Sequence, residues 1–190
     1  MIDFSSFPLI FLGDTHGFLN DFKKQKEIIS SVKPEIVLSE QLQETSLLTK
    51  KDYDSFLKKK RFSETVSIDE VKNLVELCRD KKIKLVGMDL AGFGLTDKLI
   101  KITRGELNAT PAEKKKINLI LKKRERKQLV TIKKFLGKSD RPIIVVIGVW
   151  HLRENSAILP FLSDYLMIFP CSKNNRLLTK PIKKVISLKY

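Results

Sequence analysis

The chain contains two histidines, and both occupy the same kind of sequence context. His16 ends the segment LGDTH and His151 ends the segment IGVWH, so each histidine stands three residues after a glycine at the end of an apolar run. A glycine lets the backbone bend or a neighbouring group approach closely, and an imidazole serves as metal ligand or base. The pattern predicts a site in which Gly13 and Gly148 allow close approach and the two histidines act as metal ligands or bases.

Acidic residues follow apolar runs in the same way. Glu40 lies just beyond the second run, Asp89 follows the third, and Asp14 lies within the first GxxH segment. Two imidazole nitrogens and a carboxylate oxygen, with other positions open to water, suit Zn²⁺, Mn²⁺ or Fe²⁺. A metal-bound water loses its proton near neutral pH and becomes a nucleophile. We therefore predict His16, Glu40 and His151 as metal ligands, with Asp14 and Asp89 either ligating or orienting a histidine.

Short strand-like runs alternate with helical patterns along the chain. The runs are LIFL at 9–12, EIVL at 35–38, KLVGM at 84–88 and IIVVI at 143–147, and the helical patterns cover about 20–31, 50–59, 67–80 and 112–136. This alternation is typical of an α/β fold with a mostly parallel central sheet buried on both faces. Two weaker runs, 165–169 and 184–188, are predicted as C-terminal edge strands. Parallel strands bring their carboxyl ends to one edge, where open α/β sheets bind ligands.

The composition of the chain indicates its number of domains, its cellular location and the charge of its partners. The 190 residues and 42% hydrophobic content predict a single globular domain over residues 1–190. Cys78 and Cys171 suggest no disulfide framework, and the sequence shows neither a signal-peptide pattern nor an apolar run long enough to span a membrane, so we expect a cytoplasmic protein. Lys and Arg outnumber Asp and Glu by 37 to 22, which favours attraction to polyanions or acidic membranes.

The predicted long helix places an arginine among apolar residues. At about 100° per residue, Arg124 and Gln128 fall within the apolar face, whereas Arg126 points to water. A guanidinium that points inward is costly unless a carboxylate, a phosphate or a substrate meets it. Arg124 is thus a candidate site residue. The alternative is that Arg124 lies at the margin of the apolar face and extends its side chain outward to solvent.

The same helix is strongly basic. Residues 113–138 contain 11 Lys or Arg and two acidic residues. A nucleic-acid or membrane surface is one interpretation of this charge. The segment has no interleaved aromatic residues and no familiar recognition motif, which favours a solvated helix face instead.

Taken in order, the motifs resemble a known superfamily. The segments FLGDTHG, KPEIVLSEQL, KIKLVGMDL, KKRERKQLVTIKKFL and RPIIVVIGVWHLRENSAIL, spread over residues 8–162, resemble the superfamily that joins TraB, Tiki, ChaN-like haem-uptake and erythromycin-esterase-like proteins. The resemblance implies that active-site positions are held by Gly13, His16, Glu40, Gly148 and His151, with Arg124 or Arg126 as the helix arginine. The inward-facing argument favours Arg124. This sequence departs from the pattern at HLREN, where a glycine often follows the family's His-Leu, and around the helix arginine.

The resemblance implies a site and several functions. Tiki members are regarded as metal-dependent proteases, erythromycin esterases hydrolyse a lactone, and ChaN-like members bind haem iron. Our leading hypothesis is a metal-dependent hydrolase of an amide or ester bond in a peptide or small molecule, with His16, Glu40, His151 and Arg124 as catalytic residues. The alternative is a non-catalytic haem- or ligand-binding protein on the same scaffold.

Two weaker hypotheses come from single segments. The stretch GDTHG also resembles the first metal motif of calcineurin-like metallophosphoesterases, but their later motifs are absent. The lysine-rich helix suggests a further hypothesis, that the protein is a nucleic-acid-binding module.

Overall fold

A seven-stranded sheet forms the centre of the protein. The computed structural model describes residues 3–14, 19–59, 68–103, 105–171 and 176–182. The strands are β1 (Leu9–Asp14), β2 (Ile36–Ser39), β3 (Ser46–Leu47), β4 (Lys84–Gly87), β5 (Ile143–Gly148), β6 (Tyr165–Cys171) and β7 (Arg176–Ile182). Their order across the sheet is β3-β4-β2-β5-β1-β6-β7. The five central strands run parallel, and β3 and β7 close the two edges in antiparallel pairs.

The helices cover both faces of this sheet. They are α1 (Leu19–Val32), α2 (Lys50–Leu57), α3 (Ile68–Asp80), α4 (Asp97–Thr103) and α5 (Pro111–Phe135). One apolar cluster joins α1, α2 and α3 to one face, and a second joins α5 and the segment 152–162 to the other. Successive residues of β1 alternate between the two clusters, as when Leu9 packs into one and Ile10 into the other. The central strands are therefore continuous apolar runs over most of their length, because both of their faces are buried.

The register of the strands brings their carboxyl ends together. Asp14 of β1 is level with Gly148 of β5, and Ser39 of β2 is level with Val146 of β5 and Gly87 of β4. The chain leaves β2, β4 and β5 along the same edge. We call this edge, with Glu40, Asp89 and His151 just beyond those strands, the carboxyl rim.

The predicted fold class is confirmed, with differences at the edges. Four central strands and four helices lie within a few residues of their predicted bounds. The run 165–169 was predicted as an edge strand, but β6 has neighbours on both sides and β7 forms the edge. The predicted strand 184–188 lies outside the described residues. Neither the two-residue β3 nor the seven-residue α4 was predicted, because segments this short carry no clear periodicity.

Within the described ranges, none of the helices combines the length and the apolar character needed to cross a bilayer.

Candidate metal site at the carboxyl rim

Glu40 is held at the rim by the neighbouring strand β5. Its backbone N–H donates to the carbonyl of Val146, 3.2 Å away, which extends the pairing of β2 with β5 by one residue. Its carboxylate Oε2 accepts a hydrogen bond of 2.9 Å from the backbone N–H of Gly148. A Cβ atom at position 148 would lie 3.1 Å from the Oε1 of Glu40. Gly148 therefore gives this buried carboxylate the room to lie directly against the end of β5.

His151 lies beside Glu40, in the 3-10 turn Val149–Leu152 that follows β5. Its Nε2 is 3.5 Å from the Oε2 of Glu40, and its Nδ1 is 3.3 Å from the Oε1 of Glu125 on α5. The imidazole is 4% exposed, and each of its ring nitrogens faces one of these two carboxylates. The ring is therefore fixed from both sides, with one nitrogen toward the helix and the other toward the rim.

Glu125 was not among the predicted site residues. Its carboxylate is fully buried, and it accepts hydrogen bonds from the guanidinium of Arg153 and, at 2.9 Å, from the backbone N–H of Ala157. Burial opposes ionisation of this carboxyl, but the hydrogen bonds from His151, Ala157 and Arg153 outweigh it and lower the pKa of Glu125. An ionised Glu125 orients the histidine, as the outer carboxylate does in carboxylate–histidine–metal triads.

Arg124 does point inward, and its partner is Asp89. The guanidinium Nε lies 3.1 and 3.0 Å from the two carboxylate oxygens of Asp89, and Nη2 lies 2.6 Å from one of them. The guanidinium also lies over the ring of Phe93, 4.7 Å from its centroid. Burial alone would lower the pKa of Arg124, but its hydrogen bond to Asp89 and the nearby carboxylates raise it overall. Arg124 is therefore a fixed positive charge near the rim.

Asp89 was predicted to ligate a metal or orient a histidine, and the structure places it beside Glu40 and His151 while its carboxylate also pairs with Arg124. Besides Arg124, its oxygens accept hydrogen bonds from the Gln128 side chain at 2.8 Å and from the Leu90 backbone at 2.7 Å. Because both oxygens are occupied by donors, Asp89 anchors the arginine. Within the described residues, the carboxylates that face the ring nitrogens of His151 are those of Glu40 and Glu125.

The rim contains a set of side chains suited to a metal ion. Ligand atoms of Glu40, Asp89 and His151 all lie within 4.8 Å of one another, and all three residues are buried. Two ligands of one tetrahedral ion, each about 2.0–2.1 Å from it, are roughly 3.4 Å apart. The 3.5 Å between His151 Nε2 and Glu40 Oε2 matches this separation. Glu40 and His151 thus fit a shared cation, whereas Asp89 has little capacity left for one.

Two further polar atoms lie near these residues. The Oγ of Ser39, directly before Glu40, and the Oε1 of Gln128, whose amide nitrogen binds Asp89, are buried and have no hydrogen-bond partner within the described part of the chain. Buried polar atoms are rarely left unpaired in proteins. A bound water or ligand could form hydrogen bonds with the hydroxyl of Ser39 and with the amide oxygen of Gln128.

Of the remaining predicted site residues, Gly13 and Asp14 lie at the carboxyl end of β1, and His16 is outside the described ranges. The carboxylate of Asp14 accepts hydrogen bonds from the side chains of Gln25, at 3.1 Å, and Gln41, at 3.0 Å, and it is not part of the three-residue group. A Cβ at Gly13 would lie 3.0 Å from side-chain atoms of Phe169 and Val149, so this glycine serves close packing. His16 falls outside the described residues, and its role stays a prediction.

Comparisons with known proteins show likeness at the level of the fold. No family model and no curated protein matches the chain. A solved structure described as a bacterial protein toxin is similar with a TM-score of 0.51 and 16% identity over 90% of this chain and 35% of the toxin chain. A second bacterial toxin gives a TM-score of 0.49 and 13% identity, covering 91% and 35% of the two chains. The chain thus spans about a third of the length of these toxins.

A third similar structure is that of ChaN from Campylobacter jejuni, described by its cofacial haem binding. It gives a TM-score of 0.49 and 15% identity, with 93% of this chain and 89% of the ChaN chain covered. These likenesses concern the arrangement of strands and helices and transfer no residue role. The relation to TraB, Tiki and erythromycin-esterase-like proteins stays a prediction from the sequence motifs.

Proposed function

We propose that this chain is a binding protein for a metal-centred ligand, with His151 and Glu40 as protein ligands at the carboxyl rim. The metal is a divalent ion or the iron of a haem group. One observation carries the proposal: Nε2 of His151 faces Oε2 of Glu40 at 3.5 Å while Nδ1 of the same ring faces the carboxylate of Glu125.

The tautomer of His151 follows from this arrangement. A neutral imidazole that donates its Nδ1 hydrogen to Glu125 has its lone pair on Nε2, directed at the carboxylate of Glu40. Two electron-rich atoms at this distance repel each other unless a cation or a proton lies between them. Since both residues are buried, the low local dielectric increases this repulsion and also the gain from a shared cation.

Hydrolysis is the second candidate function, and Arg124 favours it. When bound, a divalent ion would supply an activated water near neutral pH. The Arg124 guanidinium is held by Asp89 and 14% exposed, so it is placed to stabilise an anionic group or a developing oxyanion of an amide or ester. Among the described residues, however, Glu40 serves as a ligand, Glu125 as an orienting group and Asp89 as an anchor. Binding therefore has more direct support than catalysis.

Metal analysis of three variants tests the proposal. Four proteins would be purified without chelators or a histidine tag: wild type, His151→Asn, Glu40→Gln and the control Glu154→Gln. The control changes an exposed residue near the rim. Metal content is measured by mass spectrometry, and Zn²⁺ or Mn²⁺ affinity by calorimetry. We expect a loss of more than about 10-fold in affinity for the two rim variants and none for the control, with unchanged circular dichroism.

A second set of measurements distinguishes binding of a free divalent ion from binding of haem, and tests for hydrolysis. Haem is titrated into the same four proteins and followed by its absorption, and ester and amide substrates are tested with added Mn²⁺ or Zn²⁺. Haem binding lost in His151→Asn identifies haem iron as the metal, and hydrolysis that follows metal content supports the second candidate. If wild type and both rim variants bind metal and haem equally, the proposal is wrong.

A further inference from the structure

The outward side of α5 forms a continuous basic face. It consists of seven exposed cations and two exposed apolar residues, namely Lys115, Lys116, Lys122, Lys123, Arg126, Lys133, Lys134, Leu119 and Val130. Leu119 is 61% exposed and Val130 is 65% exposed, so both side chains are available for contact. We use the term basic face for these nine residues.

The order of residues around the helix is regular. With about 100° per residue, Val130 and Arg126 lie within about 20° of Leu119, so these three form the crest of the face. Two rows of three lysines flank the crest at about 40–60° on either side. One row is Lys115, Lys122 and Lys133, and the other is Lys116, Lys123 and Lys134.

Both acidic residues of α5 are turned away from this face. Glu113 is used at the start of the helix, where it closes the capping box with Thr110 and pairs with Lys98 at 2.6 Å. Glu125 points into the protein toward His151. Within α5, all of which the structure describes, the basic face therefore carries positive charge without an intervening carboxylate.

We propose that the basic face of α5 docks the protein onto an anionic lipid surface. Charge complementarity supplies the first argument, since each lysine or arginine near an acidic membrane adds to binding and the whole chain carries a net charge of +15. A helix of 25 residues is about 37 Å long, so its cations can approach one plane together.

The apolar crest distinguishes lipid from nucleic acid. Lysines beside an apolar stripe can lay their methylene stems along a membrane boundary while their ammonium groups meet the headgroups, and Leu119 and Val130 enter the boundary between them. Surfaces that bind single-stranded nucleic acid combine their cations with aromatic side chains on which the bases stack. This face has six lysines and one arginine, and Leu119 and Val130 occupy two of the three crest positions. An exposed aromatic ring, that of Phe161, lies against Lys133 at 5.6 Å, beside the face rather than on it.

The proposal does not depend on the metal site, because Arg124 and Glu125 leave α5 on its inward side. A protein that binds no metal can still dock, and a protein that fails to dock can still bind metal. The two proposals therefore fail separately.

Vesicle sedimentation with two triple variants provides the first test. The probes are phosphatidylcholine vesicles with about 30% phosphatidylserine and vesicles of phosphatidylcholine alone. We expect K115Q/K122Q/K133Q to bind the acidic vesicles on the order of 100-fold more weakly than wild type. The control K50Q/K72Q/K81Q removes the same charge from exposed positions on or next to α2 and α3, which pack on the opposite face of the sheet, and should lose far less.

The crest provides the second test. The variant L119S/V130S should bind acidic vesicles roughly 10-fold more weakly and leave binding to a 20-base-pair DNA duplex unchanged. Wild-type binding should fall as salt rises from 50 to 300 mM. The proposal is overturned if wild type does not prefer acidic vesicles, if the control triple variant loses as much as the face variant, or if L119S/V130S binds vesicles normally. The last result, together with tight duplex binding, would assign the face to nucleic acid.

Discussion

Glu125 shows how much of the site depends on one buried side chain. It lies in the middle of a basic helix, yet its carboxylate joins three parts of the structure: the imidazole of His151, the guanidinium of Arg153 and the backbone of Ala157. These donors lower the pKa of Glu125 below its ordinary value in spite of burial. Its charge therefore stabilises the folded protein and also fixes the ring that faces Glu40.

Replacing Glu125 by glutamine should reveal this contribution through its pH dependence. At pH 7 we expect Glu125→Gln to lower the free energy of unfolding by about 2 kcal/mol, since a charged acceptor is lost. The stabilisation by a carboxyl with a depressed folded pKa is complete above its unfolded value of about 4.3 and is lost as the pH falls through the folded pKa. The difference from wild type should therefore shrink between about pH 5 and pH 3.

Urea unfolding at pH 7, 5 and 3 would measure this difference. Glu154→Gln, at an exposed position, is the control and should match wild type at all three values. A gap that stays constant down to pH 3 would contradict the assigned charge of Glu125.

The sequence predicts some of these residues and not others for physical reasons. Glu40 and His151 could be placed because each follows a strongly apolar strand, and parallel strands end along one edge. Glu125 was missed because a helix face was defined by its apolar members. Its spacing from Gln128 and Ile132 repeats at three and four residues, and that pattern marks the buried side of α5. The partner of Arg124 depends on the distance between two remote elements, which no local pattern contains.

The turn after β2 rests directly on β4, and Gly87 makes this possible. A Cβ atom at this position would lie 2.1 Å from the carbonyl oxygen of Gln43 and 2.5 Å from that of Thr45. The backbone N–H of Gly87 donates to the Thr45 carbonyl at 2.7 Å. This contact fixes the turn that begins at Glu40, so β2 and β4 together set the position of the proposed metal ligand Glu40.

Alanine substitutions at two glycines should separate support of the fold from support of the site. Gly87→Ala meets backbone carbonyls, and we expect it to lower the free energy of unfolding by about 3 kcal/mol. Gly148→Ala meets only the end of the Glu40 side chain at 3.1 Å, so it should change stability by less than about 1 kcal/mol and weaken metal binding more than tenfold. Urea unfolding and metal calorimetry measure the two effects. Equal losses of stability in both variants would contradict this division.

The elements themselves were predictable where the local pattern was strong. The central strands are continuous apolar runs because helices cover both faces, and α5 has a clear start at its Thr110 capping box. The sheet order could not be predicted, since it depends on crossovers between distant segments. The antiparallel strand β7 contains Lys180 and Pro181, residues that disfavour strands and suit an edge.

The whole molecule should respond to metal through its thermal stability. A ligand that binds only the folded state at 100 times its Kd adds about 2.7 kcal/mol, which for a chain of 190 residues corresponds to a rise in Tm of about 5–10 °C. Differential scanning fluorimetry with Zn²⁺ or Mn²⁺ would show this rise. A chelator should reverse it, and an equal rise in His151→Asn would mean that the ion binds elsewhere.

The position of β5 has a consequence for how the chain folds during synthesis. This strand lies between β1 and β2, yet it begins at residue 143, long after both of its neighbours have left the ribosome. Until it arrives, β1 and β2 have no shared partner, and each exposes an unpaired backbone edge open to aggregation. The same strand leads directly into His151, so the nascent chain acquires its central strand and the histidine of the proposed metal site in one late event.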